Sequence, residues 1–122
     1  MPAFKNFLVV DSDEKGRVLF VATLMRVFPH AAVVEVQELA TACSLAAGRH
    51  YDAIIAHRAV GVEPKDLVRQ LRECDPAVPI LAVSGIDRAK ELLAAGANRF
   101  LNSDEWLNVG TVISEMLPEE AS

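Results

Sequence analysis

Phe7-Leu8-Val9-Val10-Asp11-Ser12-Asp13 sets four consecutive apolar residues directly before a short polar turn carrying two carboxylates. A run that is apolar at successive positions suits a strand covered on both faces, as in a parallel sheet. Four further runs follow, at residues 32–36, 53–56, 80–83 and 99–101. Those at 53–56 and 80–83 are wholly apolar, whereas those at 32–36 and 99–101 carry polar residues, as edge strands do.

Helical patterns fill the intervals. Ser12 or Asp13 can cap a helix that reaches about Phe28 before Pro29. Leu39, Cys43 and Ala46 mark a second, ended by Gly48. Pro64 suits the first turn of a third, with Leu67, Leu71 and Cys74 along one stripe and Pro76 beyond its end. Ala89, Leu92 and Leu93 lie on a fourth, stopped by Gly96. Val109, Val112, Ile113, Met116 and Leu117 recur at helical spacing in the last. Asn102 and Glu105 resemble a capping box at its start.

This fivefold alternation with short connections predicts an α/β fold, a doubly wound parallel sheet of five strands with five flanking helices. Right-handed crossovers favour the flavodoxin-like strand order 2-1-3-4-5. Such sheets bind ligands beyond the carboxyl ends of their strands. Chemistry is therefore sought at Asp11-Ser12-Asp13, His57-Arg58, Ser84-Gly85 and Asn102-Ser103-Asp104.

Composition sets the outer bounds. The 122 residues predict one domain over 1–122, with 118–122 a loose tail. Apolar residues make up 52% and charged residues 24%, which excludes general disorder. The net charge of −5 argues against a nucleic-acid-binding surface. No run approaches the ~20 apolar residues of a membrane span. Met1-Pro-Ala-Phe-Lys-Asn6 lacks the flank, apolar stretch and cleavage site of a signal peptide, so a cytoplasmic location is expected. Cys43 and Cys74 are too few for a disulfide framework and read as small core residues of a reduced protein.

The opening segment Phe7-Leu-Val-Val-Asp11-Ser-Asp13 closely resembles the start of a response-regulator receiver domain, of the chemotaxis-regulator kind. So do Tyr51-Asp-Ala-Ile-Ile-Ala-His57, Pro79-Ile-Leu-Ala-Val-Ser84 and Ala94-Ala-Gly-Ala-Asn-Arg-Phe-Leu101, in the right order. The resemblance extends from Phe7 to about Leu117 and implies a two-component signalling module. Such a domain takes a phosphoryl group from a histidine kinase onto an aspartate and changes its partner-binding face. Matched position by position, Asp11 stands for the first of the paired acids that hold Mg²⁺, but Ser12 replaces the second. His57 stands at the phosphoacceptor position. Ser103 replaces the lysine that pairs with the phosphoryl group, and Asp104 replaces the proline after it. Ser84 matches the switch hydroxyl, and Phe100 the switch aromatic. Asp13 is either a remaining pocket acid or a helix cap.

Acyl-phosphate formation requires a carboxylate nucleophile, which His57 does not offer. Mg²⁺ is a hard cation that wants oxygen ligands. A lysine offsets charge on the transferring group, whereas a serine supplies only a neutral hydrogen bond. The expectation is a pseudo-receiver: not an enzyme, with no cofactor and no metal, Mg²⁺ included. It would act as a phosphorylation-independent interaction or dimerisation module. The alternative is a working phosphorelay receiver with a non-standard acceptor among Asp52, Asp11 and Asp13. His57 is expected beside Asp11, either as an imidazolium or as a hydrogen-bonded neutral ring.

The first helix suggests a contact surface. Phe20, Leu24 and Val27 form one apolar stripe, and Val18, Val21, Met25 and Phe28 form another. One stripe covers a sheet; a surplus can mark an interface or be absorbed by the last helix. Val18, Met25 and Trp106 are the candidate interface residues, for a protein partner or a homodimer, with Trp106 otherwise a partly packed indole. His30 and His50 fall in loops and are expected to be solvated. Lys65, Arg69 and Arg72 are expected on ordinary exposed faces.

Overall fold

A computed structural model describes residues 4–118 of the chain. Apart from Pro118, the tail expected to be loose lies outside the described residues. The strands are β1 (Asn6–Asp11), β2 (Ala32–Val36), β3 (Ala53–Arg58), β4 (Ile80–Ser84) and β5 (Arg99–Asn102). The helices are α1 (Glu14–Val27), α2 (Leu39–Gly48), α3 (Pro64–Cys74), α4 (Ala89–Ala95) and α5 (Val109–Met116). All strand pairs are parallel, in the order β2-β1-β3-β4-β5. This is the flavodoxin-like arrangement expected from the alternation.

Strand alternation divides the interior into two cores. Leu8, Val10, Ile54, Ala56, Ile80 and Ala82 pack with residues of α2, α3 and α4 on one face. Phe7, Val9, Ala53, Ile55, Leu81 and Val83 pack with α1 and α5 on the other. Full burial of a large apolar side chain contributes ~1.5–3 kcal/mol, so the three central strands dominate stability.

The α1–α5 seam departs from the simple stripe reading. Thr23 is buried, its hydroxyl donating to the Phe20 carbonyl at 3.1 Å, while Val27 remains 41% exposed. The cause is Gly110, where a methyl group would strike the Thr23 carbonyl and Val27. Glycine lets the helices meet backbone to backbone. Phe28 is half-buried and packs edge-on against Phe7, with ring centroids 5.0 Å apart.

Two more expectations are corrected. Asn102 accepts a hydrogen bond from the Asp104 amide at 2.9 Å, but this opens a 3₁₀ segment, Ser103–Asn108, before α5. A kink at Glu105 separates that segment from regular α-helix. Arg72 is half-buried rather than on an ordinary exposed face. It donates to the carbonyls of Gly96, Asp75 and Val78 and to Asn98 Oδ1, tying α3 to the start of β4 and the loop before β5. His30 and His50 are exposed, as expected, with His50 Nε2 3.5 Å from Asp52 Oδ1.

Candidate functional site

The four strand-end segments converge where β1 and β3 lose their regular register. Val10 pairs with Ala56, but Asp11 pairs with Arg58, leaving His57 as the extra residue of a bulge. Successive strand side chains ordinarily point to opposite faces; a bulge breaks that alternation and re-aims one of them. Here His57 and Arg58 both reach the same carboxylate. His57 Nδ1 lies 2.9 Å from Asp11 Oδ2, and Arg58 Nε donates to Asp11 Oδ1 at 2.9 Å. The Asp13 amide adds a third bond to Oδ1 at 3.0 Å.

Asp11 is completely buried, so these donors decide its charge. Burial pushes its pKa upward, but the His57 ring, the Asp13 amide and the Arg58 guanidinium together hold it below the ordinary aspartate value. An ionised carboxylate only accepts, so the hydrogen bond places a hydrogen on His57 Nδ1. The imidazole is further fixed edge-on by Phe20 of α1, with centroids 5.5 Å apart.

Nothing in the sequence marks Arg58 beyond its place at a strand end. Its other nitrogen reaches Asp13 Oδ2 at 3.3 Å, so the guanidinium bridges both carboxylates of the opening segment. Asp13 occupies the N-cap position of α1 but makes no side-chain cap bond there. Ser12 is half-buried, and its amide donates to the Arg58 carbonyl at 3.0 Å. Arg17 donates from α1 to the Asp11 carbonyl at 2.8 Å. Gly16 completes the cradle, because a methyl group there would collide with the Asp11 carboxylate.

The opposite flank is neutral. Ser84 is buried at the end of β4 and accepts from the Ile86 amide at 3.4 Å. A methyl group at the adjoining Gly85 would lie 3.4 Å from Ser103 Oγ, which places Ser103 beside this strand end. Phe100 is half-buried on β5. Asp52 does not join the group. It precedes β3 at the opposite end of the sheet, where it accepts from the Asn6 amide at 2.7 Å. Of the candidate interface residues, Val18 is 57% exposed, whereas Met25 and Trp106 are half-buried. Among the described residues, no group of three or more His, Cys, Asp and Glu side chains is placed to hold a metal ion.

No family model and no curated protein matches the chain. Solved structures do. A response regulator from Burkholderia pseudomallei, solved with a phosphorylated aspartic acid, a calcium ion and citrate, is 25% identical at a TM-score of 0.71. That match covers 91% of this chain and 69% of the other. The receiver domain of a sensor histidine kinase from Pseudomonas aeruginosa, with magnesium in its active-site cleft, is 21% identical at 0.78, covering 93% and 98%. The response regulator domain of CheB from Thermotoga maritima is 17% identical at 0.78, covering 98% and 100%.

The chain has the fold of a response-regulator receiver domain. In this receiver fold, the Asp11 group and the Ser84–Ser103 flank lie beyond the carboxyl ends of the strands, beside the point where the strand order reverses. Among the described residues no helix is long and apolar enough to cross a membrane.

Proposed function

We propose that the chain is a pseudo-receiver domain of a two-component signalling protein, acting by protein contact without being phosphorylated. The observation that carries this reading is the Asp11 carboxylate. It is fully buried and already satisfied by His57, Arg58 and the Asp13 amide. An incoming Mg²⁺ would have to displace a guanidinium and an imidazole from the carboxylate it needs. Of the remaining positions around it, Asp13 holds Arg58, and Ser12 and His57 are not carboxylates. The residues present do not fit a hard divalent cation. The Pseudomonas relative with magnesium in its cleft represents the opposite condition.

With no aspartate at position 57 and no lysine at 103, a phosphoryl group lacks its acceptor and its lysine here, and the one nearby guanidinium, Arg58, is already paired with Asp11 and Asp13. The non-standard acceptors are disfavoured by their placement. Asp52 is at the far end of the sheet, Asp11 has no exposed surface, and Asp13 is engaged by Arg58. The module is not an enzyme and works in the cytoplasm. A receiver that phosphate does not switch holds one conformation, or is shifted by a partner that binds one state better. Val18 presents apolar surface on α1, with Met25 half-buried on the same helix, and Trp106 is half-buried just before α5; these three are the proposed contact residues for a partner or a second copy.

Two measurements test the reading. Labelled acetyl phosphate with Mg²⁺ should leave no stoichiometric covalent phosphate on the native chain or on His57→Asp, since Ser12 and Ser103 remain. Stoichiometric label on either protein overturns it. Sedimentation should show self-association or a partner complex that Val18→Glu or Trp106→Ala weakens tenfold or more, as hot-spot losses do. A monomer that captures no partner and is indifferent to both changes contradicts the interaction role.

A further inference from the structure

We propose that the outer edge of β2 pairs antiparallel with β2 of a second copy of the chain, about a two-fold axis at Val34, so that two sheets become one. The inference goes beyond the pseudo-receiver reading and uses no residue of the strand-end pocket. β2 stands at the margin of the sheet and pairs with β1 alone. Its register with β1 runs unbroken from Ala32 to Val36, and the Ala32 amide donates to the Lys5 carbonyl at 2.9 Å. Backbone groups alternate in direction along a strand. Val34 and Val36 therefore also turn toward β1, while Val33 and Glu35 turn their amides and carbonyls outward. Among the described residues nothing bonds to those outward groups.

Such an edge is a template for a further strand unless proline, lysine or a bulge guards it. β2 reads Ala-Val-Val-Glu-Val and has none of these. Its one charge, Glu35, is drawn onto its own α1, where Oε1 lies 3.6 Å from Arg17 Nε. Ala32 and Glu35 are exposed, and Val33 and Val34 are half-buried, which leaves the edge within reach of another chain. The other edge is guarded: β5 has four residues and begins with the exposed Arg99, whose guanidinium reaches Glu115 at 3.3 Å. Self-complementarity names the occupant. With the axis at Val34, each Val33 faces Glu35 of the second copy, and the two residues exchange their outward N–H···O bonds. Val34 then meets its own copy on the face that packs toward α2 and α3, and Ala32 meets Val36, apolar against apolar. An axis at Glu35 would set two carboxylates opposite one another, which destabilises a strand pair. An axis at Val33 would set Glu35 against Ala31, whose amide already donates to the Phe28 carbonyl at 3.0 Å. A two-fold contact of this kind closes on itself, so association stops at the dimer.

Sedimentation equilibrium of the whole chain, from roughly 10 µM to 1 mM, reads the association, because a contact of this size is weak. A concentration-dependent dimer with no larger species is expected. Glu35→Pro removes an outward amide and keeps the bonds between β1 and β2, since proline is tolerated where a strand's N–H faces solvent. It should weaken the dimer about tenfold or more, whereas Glu35→Gln, which keeps the amide, should leave it within about twofold. Val34→Cys should join two chains through position 34 on mild oxidation, because opposed residues of a non-hydrogen-bonded pair lie within disulfide reach. In the native chain, amide exchange at Val33 and Glu35 should slow as concentration rises, a reading that stands even if Glu35→Pro does not fold. A monomer throughout that range, exchange at both amides indifferent to concentration, or a dimer that a folded Glu35→Pro leaves intact would each overturn the proposal. A dimer lost in Val18→Glu but kept in Glu35→Pro would overturn it while leaving the α1 contact reading in place.

Discussion

At the β1–β3 flank of the strand-end pocket, two carboxylates meet an imidazole and a guanidinium; at the β4–β5 flank, Ser84 and Ser103 offer only hydroxyls. The first flank is closed upon itself. Its buried charge is satisfied by groups of the same chain, so nothing from outside is needed to stabilise it. The second flank carries no charge and demands none. A pocket built to transfer phosphate works in the opposite way, with acidic groups awaiting a metal and a cation awaiting the phosphoryl group. The difference teaches that one side of the strand ends is an internally paired ion cluster and the other carries only neutral hydroxyls.

The comparison can be broken by substitution, beginning with the largest expected effect. Gly16→Ala pushes a methyl into the Asp11 carboxylate and so disturbs all of its donors at once. A loss of about 3 kcal/mol in denaturant unfolding is expected. His57→Ala removes one donor from a fully buried carboxylate along with the ring packed on Phe20, and should cost ~2 kcal/mol at neutral pH. Its dependence on pH has a definite sign. The folded state holds Asp11 below its ordinary pKa, so the unfolded chain binds more protons in that interval. The stability this contributes is present above the ordinary aspartate range and is lost as pH falls through the folded value. The difference between native protein and His57→Ala should therefore be full at neutral pH and shrink in acid, once Asp11 is protonated in both, to the part that comes from the ring packed on Phe20. A difference unchanged from neutral to strongly acidic pH would separate His57 from the Asp11 charge.

Arg58→Ala should cost less, about 1 kcal/mol, because the guanidinium is half exposed and water screens it. That loss should shrink in high salt, as the His57→Ala loss should not, since His57 is nearly buried. On the neutral flank, Ser103→Ala should change stability by no more than ~0.5 kcal/mol. Equal losses at Arg58 and Ser103 would erase the distinction between the flanks.

Much of this architecture was legible in the sequence. The apolar runs, their alternation with helical patterns and the two edge-like strands were sufficient for the strand order, because parallel βα units leave few topologies. The meeting of His57 with Asp11 also followed, since β1 and β3 are neighbours in that order. Arg58 did not follow. In a regular strand it would point away from His57, and only the bulge at Val10/Asp11 turns both toward one carboxylate. A register shift leaves no composition signal; the one hint was an arginine directly after the strand-end histidine. The burial of Thr23 inside the α1–α5 seam, with Val27 left partly exposed at its edge, was hidden for a similar reason. The backbone approach at Gly110 displaces the seam from the stripe that periodicity marks. Arg72 read as surface because its partners are mostly main-chain carbonyls, which side-chain patterns do not reveal.

The central claim is that the pocket is closed by its own cationic and hydrogen-bonding groups. Beryllofluoride with Mg²⁺, an analogue of a bound phosphoryl group, tests it most directly, followed through the amide resonances of Asp11, Ser84 and Ser103 in the isotopically labelled chain. The expected result is no saturable shift at these residues with Mg²⁺ at millimolar concentration. Saturable shifts at all three, dependent on Mg²⁺ and beryllofluoride together, would contradict it.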